Sequence, residues 1–585
     1  MTTRFFFPAG SLGGVRGRLA FLPNGYDLAV FVLIGAAFAA VARGAHEMHE
    51  PLSALDLSPI DLDPRHLPDY AIRTTLRMFA AMTASLVFTF VVATLAAKNR
   101  RAELVVVPAL DILQSVPVLG FLTFTIVFFL GLFPGNVLGA ECAAVFAIFT
   151  SQAWNMAFSF YQSLRTVPRD LAEVSRHFGL SPWLRFIRLE LPFAMPGLVW
   201  NAMMSMSGGW FFVVASEAIS VGDTRIALPG IGSWLALAIE RKDIAAIGEA
   251  VLAIAVVILL YDQLVFRPLV AWADKFRFEQ TASQDRPGSW LFDLLRRTRL
   301  IRALSDGADR VTARVTALAG GRRTSRDAPP GDAGSGLRRG LDLAWLALVV
   351  AVTAYALWRA FGYLRQTLGW GDLAHVFALG WLTLMRVLVL IALASLIWVP
   401  VGVWIGFRPA VSERIQPLAQ FLAAFPANVL FPFAVVLIVA TGADPNIWLS
   451  PLMVLGTQWY ILFNVIAGAS AFPTDLREAA TLYRLPGRQW WGKVVLPGIL
   501  PYYVTGALTA SGGSWNASIV AEAVSWGDAR LEAAGLGSYI ARATEAGDYP
   551  RVVLGVLVMS LFVIVLNRVL WRPLYLYAER RFRLG

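Results

Sequence analysis

The sequence predicts an all-α membrane protein of about twelve transmembrane helices, arranged as two parallel six-helix repeats. Three observations lead there. The 585 residues are 57% hydrophobic and only 15% charged, with mean hydropathy +0.61. In water such a chain would expose large apolar patches, whereas bilayer hydrocarbon tolerates them. Apolar runs long enough to cross about 30 Å of hydrocarbon recur along the chain. One half of the sequence also repeats the other at nearly constant spacing.

Candidate crossings run over residues 26–41, 79–97, 118–133, 248–266, 343–357, 387–405, 431–441 and 552–570, with less uniform segments between them. Lys and Arg cluster at 4–18, 98–101, 165–188, 267–339, 408–414, 477–493 and 572–583, which are alternate loops of a twelve-crossing chain. Basic loops mark the cytoplasmic side, so both termini are expected inside. The loop 46–69 carries Glu47, Glu50, Asp56, Asp61, Asp63 and Asp69 against Arg65 and reads as the outer side. Basic charge placed in this way marks membrane topology, not nucleic-acid binding, so no nucleic acid is expected among the partners. Cys142 is the only cysteine, which excludes an internal disulfide, a Cys-rich zinc site or a redox pair. Residues 1–20 are basic and Gly-rich without a cleavage pattern, so the first crossing reads as a retained anchor.

The repeat is explicit. Residues 170–192 align with 475–497 without a gap at an offset of 305. The register continues through Pro196/Pro501, Gly208/Gly513, Trp210/Trp515, Glu217/Glu522, Gly230/Gly535 and Asp243/Asp548 to Pro268/Pro573. Over 170–223, 16 of the 54 pairs are identical, against roughly four expected by chance at this composition. Upstream the offset becomes 309, matching Arg77 with Arg386, Pro108 with Pro417 and Pro117 with Pro426, and a difference in loop length explains the shift. The organisation is therefore a first repeat over 1–273, a cytoplasmic basic linker over 274–340 and a second repeat over 341–585. About six crossings per half is an even number, so both halves insert the same way, with the pathway between them. Within the linker, 291–315 is expected as a basic helix on anionic membrane lipid, and the rest as a tether.

Between the fourth and fifth crossings of each half lies a polar helical segment. In the first half apolar residues recur at Leu171, Val174, Phe178 and Leu180, and a Leu-Pro step at Pro192 opens the next membrane helix. Such an element offers an apolar stripe rimmed by charge, suited to a groove on a partner. Asp170 and Asp475 are expected as N-caps, complemented by Glu173 and Glu478 three residues on. The second half reads Glu478-Ala479-Ala480 and closes Val494-Val495-Leu496-Pro497. The first reads Glu173-Val174-Ser175, Gly179 and Leu189-Glu190-Leu191-Pro192.

This pattern, Glu-Ala-Ala, three residues, Gly, nine residues, Ile, one residue, Leu-Pro, resembles the signature loop of type I ABC importer permeases. The stretches Trp210 to Glu217-Ala218 and Trp515 to Glu522-Ala523, with the Gly-x-Gly after each, resemble the nitrate/sulfonate/taurine branch in particular. The first half departs by lacking both alanines. The second has Arg484 where glycine is usual, and Gly487 is expected to supply the missing flexibility. The resemblance covers nearly the whole chain and implies the type I permease fold in duplicated, fused form. It implies a bacterial plasma (inner) membrane location and a coupling role for Asp170, Glu173, Gly179, Pro192, Asp475, Glu478, Ala479, Ala480, Gly487 and Pro497. Two ATPase domains would dock at the cytoplasmic face and hold ATP and magnesium, while this chain would carry no cofactor and no catalytic residue. An extracytoplasmic binding protein would deliver a small, anionic solute.

Candidates for the solute pathway are Ser205, Ser207, Ser511 and Ser514 in small-residue stretches, with Gln114, Ser115, Asn428, Trp210 and Trp515. Glu217 and Glu522 either face the solute or fix the re-entry of 222–232 by hydrogen bonds, and the second is favoured because a carboxylate repels an anion. Arg77 and Arg386 either attract an anion or snorkel to lipid phosphate. Residues 487–493 mimic a phosphate-binding loop, but Val494 stands where a magnesium-binding hydroxyl belongs, so no ATP site is expected there. The chief alternative is a secondary transporter of the major facilitator type. It would need an acidic glycine motif near 98–101, where Lys98-Asn99-Arg100-Arg101 offers none. A membrane-embedded metalloenzyme would need a paired motif among the five histidines, and none forms one.

Overall fold

The computed structural model describes residues 60–115, 118–221, 224–276, 289–298, 335–527 and 529–582, together with 32, 35 and 39. In the first half the chain forms α1 (Leu67–Lys98), α2 (Arg100–Ser115), α3 (Val118–Leu132), α4 (Val137–Arg165), α5 (Arg169–His177), α6 (Leu191–Glu217), a hairpin of β1 (Ala218–Val221) and β2 (Thr224–Ala227), α7 (Ile231–Glu240) and α8 (Ile244–Tyr261). In the second half it forms α9 (Ser335–Arg365), α10 (Trp370–Gly406), α11 (Pro409–Ala424), α12 (Phe431–Thr441), α13 (Gln458–Ser470), α14 (Thr474–Leu482), α15 (Leu496–Ala521), β3 (Ala523–Trp526) paired with β4 (Ala529–Glu532), α16 (Leu536–Glu545) and α17 (Tyr549–Leu566). Helices dominate because hydrocarbon offers backbone amides no partner outside their own segment.

Eight described helices are long and apolar enough to cross a bilayer. The count is ten if two bent pairs, 409–424 with 427–441 and 445–455 with 458–470, each make one crossing. Helix α3 has 15 residues and takes the place of the third crossing in its half. The expected crossing at 26–41 lies outside the described residues but for three positions, and so do linker residues 299–334. The part of the linker that is described includes a short amphipathic helix, Trp290–Arg297, ending in Arg296 and Arg297.

The repeat extends to element boundaries. β1, β2, α7 and α8 recur as β3, β4, α16 and α17 at 305, whereas α2 recurs as α11 at 309. The change falls after the third crossing: Leu132 corresponds to Thr441 and Val137 to Gly442, so residues 133–136 have no counterpart. In these residues Asn136 caps α4, accepting from Leu138 N at 2.8 Å, and α4 runs as one 29-residue helix. The second half instead breaks into Pro445–Trp448, Leu452–Leu455 and α13. In each half the fourth crossing sits between the second and fifth, α1–α4–α6 and α10–α13–α15.

Four π-turns, Phe186–Glu190, Asp262–Phe266, Trp490–Val495 and Asn567–Trp571, occupy corresponding places in the halves. Each ends two residues before a proline: Pro192, Pro268, Pro497 and Pro573. Proline has no N–H and its ring crowds the carbonyl four residues back. Widening the preceding turn relieves that clash while the helix continues. The Leu-Pro step therefore does not start a helix afresh; it sits inside a continuous helical span, 182–217 or 487–521.

The two hairpins are the departure from a purely helical fold. Four-residue strands are too short to show alternation in sequence. What holds them is a buried lock. Glu217 accepts Gly232 N at 2.7 Å and Arg77 Nη1 at 2.7 Å. Arg77 also donates to Pro229 O at 2.9 Å and binds Glu141 through Nε and Nη2 at 2.6 Å each. Thr74 Oγ1 accepts Ile231 N at 3.0 Å. In the second half Glu522 accepts Gly537 N at 2.7 Å, Thr383 Oγ1 at 2.9 Å and Arg386 Nη1 at 3.1 Å, and Arg386 donates to Ala534 O at 2.8 Å. A Cβ at Gly230 or Gly535 would overlap the glutamate carboxylate, so the backbone approaches it only as glycine. The halves differ at one point: where Glu141 stands in the first, Asn446 stands in the second and accepts Ala534 N at 2.9 Å.

Arg77→Met leaves two buried carboxylates without a counter-charge, Arg386→Met only one. Breaking such a pair costs about 3–5 kcal/mol. Thermal unfolding of the detergent-purified chain should show Arg77→Met melting well below Arg386→Met; equal melting would contradict this ranking.

Candidate coupling helices and solute passage

Helices α5 and α14 are the short polar elements anticipated between the fourth and fifth crossings. Their caps correct one expectation. Each is preceded by a proline, Pro168 or Pro473, without a side-chain cap, so Asp170 and Asp475 stand in the first turn and are not N-caps. An acid in that position still complements the helix dipole. Glu173 and Glu478 lie one turn on, exposed. Ser175 and Ala480, at corresponding positions, are buried against the body, which accounts for small residues there.

The turn after each helix corrects a second expectation. Gly179 has φ +65°, and Arg484, its counterpart, has φ +47°. Both halves therefore need the left-handed conformation at one place, and in the second an arginine adopts it. Gly487 does not substitute; it opens the next short helix, Gly487–Gln489, outside the left-handed region. Just before the turns, Phe178 and Tyr483 stand at corresponding positions, 77% and 82% exposed. Phe178 lies on the apolar stripe expected from the first half, whereas Tyr483 stands outside the residues expected from the sequence. The signal was an aromatic recurring at the 305 offset.

A cavity of about 550 Å³ lies between the halves, lined mainly by α4 and α6 from one and α13 and α15 from the other. None of its described lining residues is charged. Polar groups are amides and hydroxyls: Asn155 Nδ2 donates to Ser205 Oγ at 3.2 Å, and Asn201 Nδ2 to Ser159 Oγ at 2.6 Å. Trp200 and Phe463 stack across the two halves with centroids 5.6 Å apart. Two hydrogen bonds join the halves at corresponding places. Asn516 Oδ1 accepts Val118 N at 2.7 Å, and Asn428 Nδ2 donates to Phe211 O at 3.2 Å, Phe211 being the counterpart of Asn516.

The chain matches the family described as "Binding-protein-dependent transport system inner membrane component" twice, over residues 85–267 and 398–583. It belongs to that family. Among its relatives are the bicarbonate transport system permease protein CmpB of Synechococcus elongatus and the nitrate import permease protein NrtB of Leptolyngbya laminosa. The first is 31% identical over 187 residues, 32% of this chain and 64% of the relative. The second is 26% identical over 185 residues, 32% of this chain and 63% of the relative. The glycine betaine/proline betaine permease protein ProW of Escherichia coli is 28% identical over 168 residues, 29% of this chain and 43% of the relative. The chain thus spans just under two thirds of the first two. The duplicated match accords with two type I permease repeats fused in one multi-pass membrane chain.

Within this permease fold the anticipated pathway residues separate. Gln114, Ser205, Ser207 and Ser511 line the cavity. Trp210, Trp515 and Ser514 are buried in the packing of α6 and α15, and Asn428 joins the halves beside the cavity. The side chain of Ser115 lies outside the described residues. Glu217 and Glu522 fix the re-entry through backbone amides. Arg77 and Arg386 neither face the cavity nor snorkel to lipid phosphate, because each is tied to its glutamate and a carbonyl. Glu141, absent from the anticipated set, completes the first lock.

The shared left-handed turn predicts opposite effects of two substitutions. Gly179→Ala should cost about 1 kcal/mol, while Arg484→Gly should gain up to about 1 kcal/mol by removing strain. Limited proteolysis at the turns reads both: slower cutting for Arg484→Gly and faster for Gly179→Ala are expected, and faster cutting of Arg484→Gly would contradict the strain.

Proposed function

We propose that this chain is the transmembrane permease subunit of an ABC importer, with both halves of the pathway in one polypeptide. It does no bond chemistry. Two ATPase domains dock on α5 and α14 at the cytoplasmic face, hold ATP and magnesium, and rock the halves as they close. A binding protein delivers a small solute at the opposite face. The repeats 1–273 and 341–585 are joined by the cytoplasmic linker 274–340, both termini are inside, and the membrane is the bacterial inner membrane. The bicarbonate and nitrate permeases among the relatives support an anionic solute.

The observation that carries this reading is the recurrence of one docking element in both halves. Each has a short helix with an exposed acid one turn in, a buried small residue and an exposed aromatic before a left-handed turn. A large aromatic at the tip is the residue type that anchors protein interfaces. A gradient-driven carrier has no need of the same exposed helix repeated in both halves.

Native mass measurement of the purified complex should give one copy of this chain per two ATPase domains. Phe178→Ala, Tyr483→Ala and Glu478→Arg should each reduce ATPase capture roughly 10-fold or more, the scale of an interface anchor, while the permease inserts normally. Two copies per two ATPase domains, or wild-type capture by all three variants, would overturn the reading.

A further inference from the structure

The structure shows how each docking helix is fastened to the membrane helices, and the two fastenings are chemically different. In the first half Lys98 ends α1 and its ammonium pairs with Glu190, the last residue of the π-turn 186–190. Glu190 also accepts from Arg185 Nε at 3.2 Å. Arg185 ends the short helix Pro182–Arg185 that follows α5 and its turn. The Glu190 side chain is 11% exposed and that of Lys98 39%. In the second half the corresponding positions are Phe407 for Lys98, Trp490 for Arg185 and Val495 for Glu190. Phe407 follows α10 and packs edge-on against Trp490 and Phe472, with centroids 5.8 Å away in each case. The Arg477 guanidinium, from α14 itself, lies 4.6 Å over the Phe407 ring. Val495 is fully buried. All three members of a charged cluster are thus exchanged for aromatic or aliphatic groups at the same three places.

We propose that Lys98–Glu190–Arg185 and Phe407–Trp490 are the joints that carry movement of the docking helices into the membrane helices, one built on ion pairs and one on aromatic packing beneath the Arg477 guanidinium. The inference rests on the importer reading. Each joint ties the segment after a docking helix to the end of the second crossing of the same half. Each lies at a π-turn, where the helix is already widened and can change its winding. Lys98, Arg185, Glu190, Phe407 and Trp490 are positioning residues: they touch neither solute nor nucleotide. A partly exposed ion pair weakens with added salt, whereas an aromatic cluster does not. The two joints therefore respond differently to ionic strength.

The test is reconstitution of the full chain with its ATPase and binding protein in proteoliposomes, measuring solute uptake and ATP hydrolysis together. Glu190→Gln and Lys98→Met should lower solute imported per ATP hydrolysed at least several-fold while hydrolysis continues. The exchange Lys98→Glu with Glu190→Lys should restore part of that ratio, a rescue that loss of folding would not show. Phe407→Leu should lower the ratio too, and its remaining uptake should fall further in high salt than wild type does, because only the charged joint is left intact. Wild-type transport without ATP dependence would sink the importer reading. ATP-driven wild-type transport with an unchanged ratio in Glu190→Gln and Lys98→Met, or no recovery in the exchanged pair, would overturn the joints alone.

Discussion

A charge buried in hydrocarbon must bring its own partner, and the rest of this fold is arranged around two such pairs. Desolvating an arginine and a glutamate costs several kcal/mol per ion, which their attraction offsets only when the remaining hydrogen-bonding groups are filled. Here they are: Glu217 and Glu522 take backbone amides of the returning chain, and Arg77 and Arg386 take its carbonyls. The lock thereby joins the second crossing to the end of the fifth and turns the chain through a hairpin into α7 or α16. It pins one end of the fifth crossing, while the other end, through its π-turn, continues to the docking helix. One end fixed and the other linked to a protruding helix is the geometry of a lever.

Fusion of the halves changes what the interface between them can be. Two identical subunits must present self-complementary surfaces, but one chain need not. Asn516 reaches across to Val118, while its counterpart Phe211 contributes only a carbonyl, which Asn428 meets. Glu141 is matched by Asn446, the charged joint by an aromatic one, and the turn glycine by Arg484. The cavity amides Asn155 and Asn201 correspond to Tyr460 and Gly506. The scaffold keeps its register to the residue over long stretches while the chemistry placed on it diverges.

Much of this is legible in the amino-acid sequence. Apolar runs and a constant offset were enough for two parallel helical repeats, because both follow from periodicity alone. The short polar helix before the fifth crossing was legible because its spacing survives in both copies. Local backbone chemistry was harder to read. Asp170 and Asp475 are residue types that cap helices, yet a proline preceding the first turn took that position. Gly487 is the nearest glycine to the gap left by Arg484, but the left-handed turn stayed at 484. Three-body contacts were hidden further. Arg77 and Glu217 recur together as Arg386 and Glu522, which hinted at pairing, but Glu141 has no acidic twin and left no trace. The joints were invisible for the same reason: Lys98 and Phe407 align at one offset and Glu190 and Val495 at another, and nothing in their types relates them.

The central claim is that α5 and α14 of a single chain are carried together by closure of two ATPase domains. Pulsed dipolar spectroscopy tests it most directly. Spin labels go at Arg176→Cys and Thr481→Cys, exposed corresponding positions on the two helices, with Cys142, the only native cysteine, replaced by alanine. In the reconstituted complex the distance between the labels should shorten when non-hydrolysable ATP is added, and only when the ATPase is present. A distance indifferent to nucleotide, or one that shifts equally without the ATPase, would contradict the account.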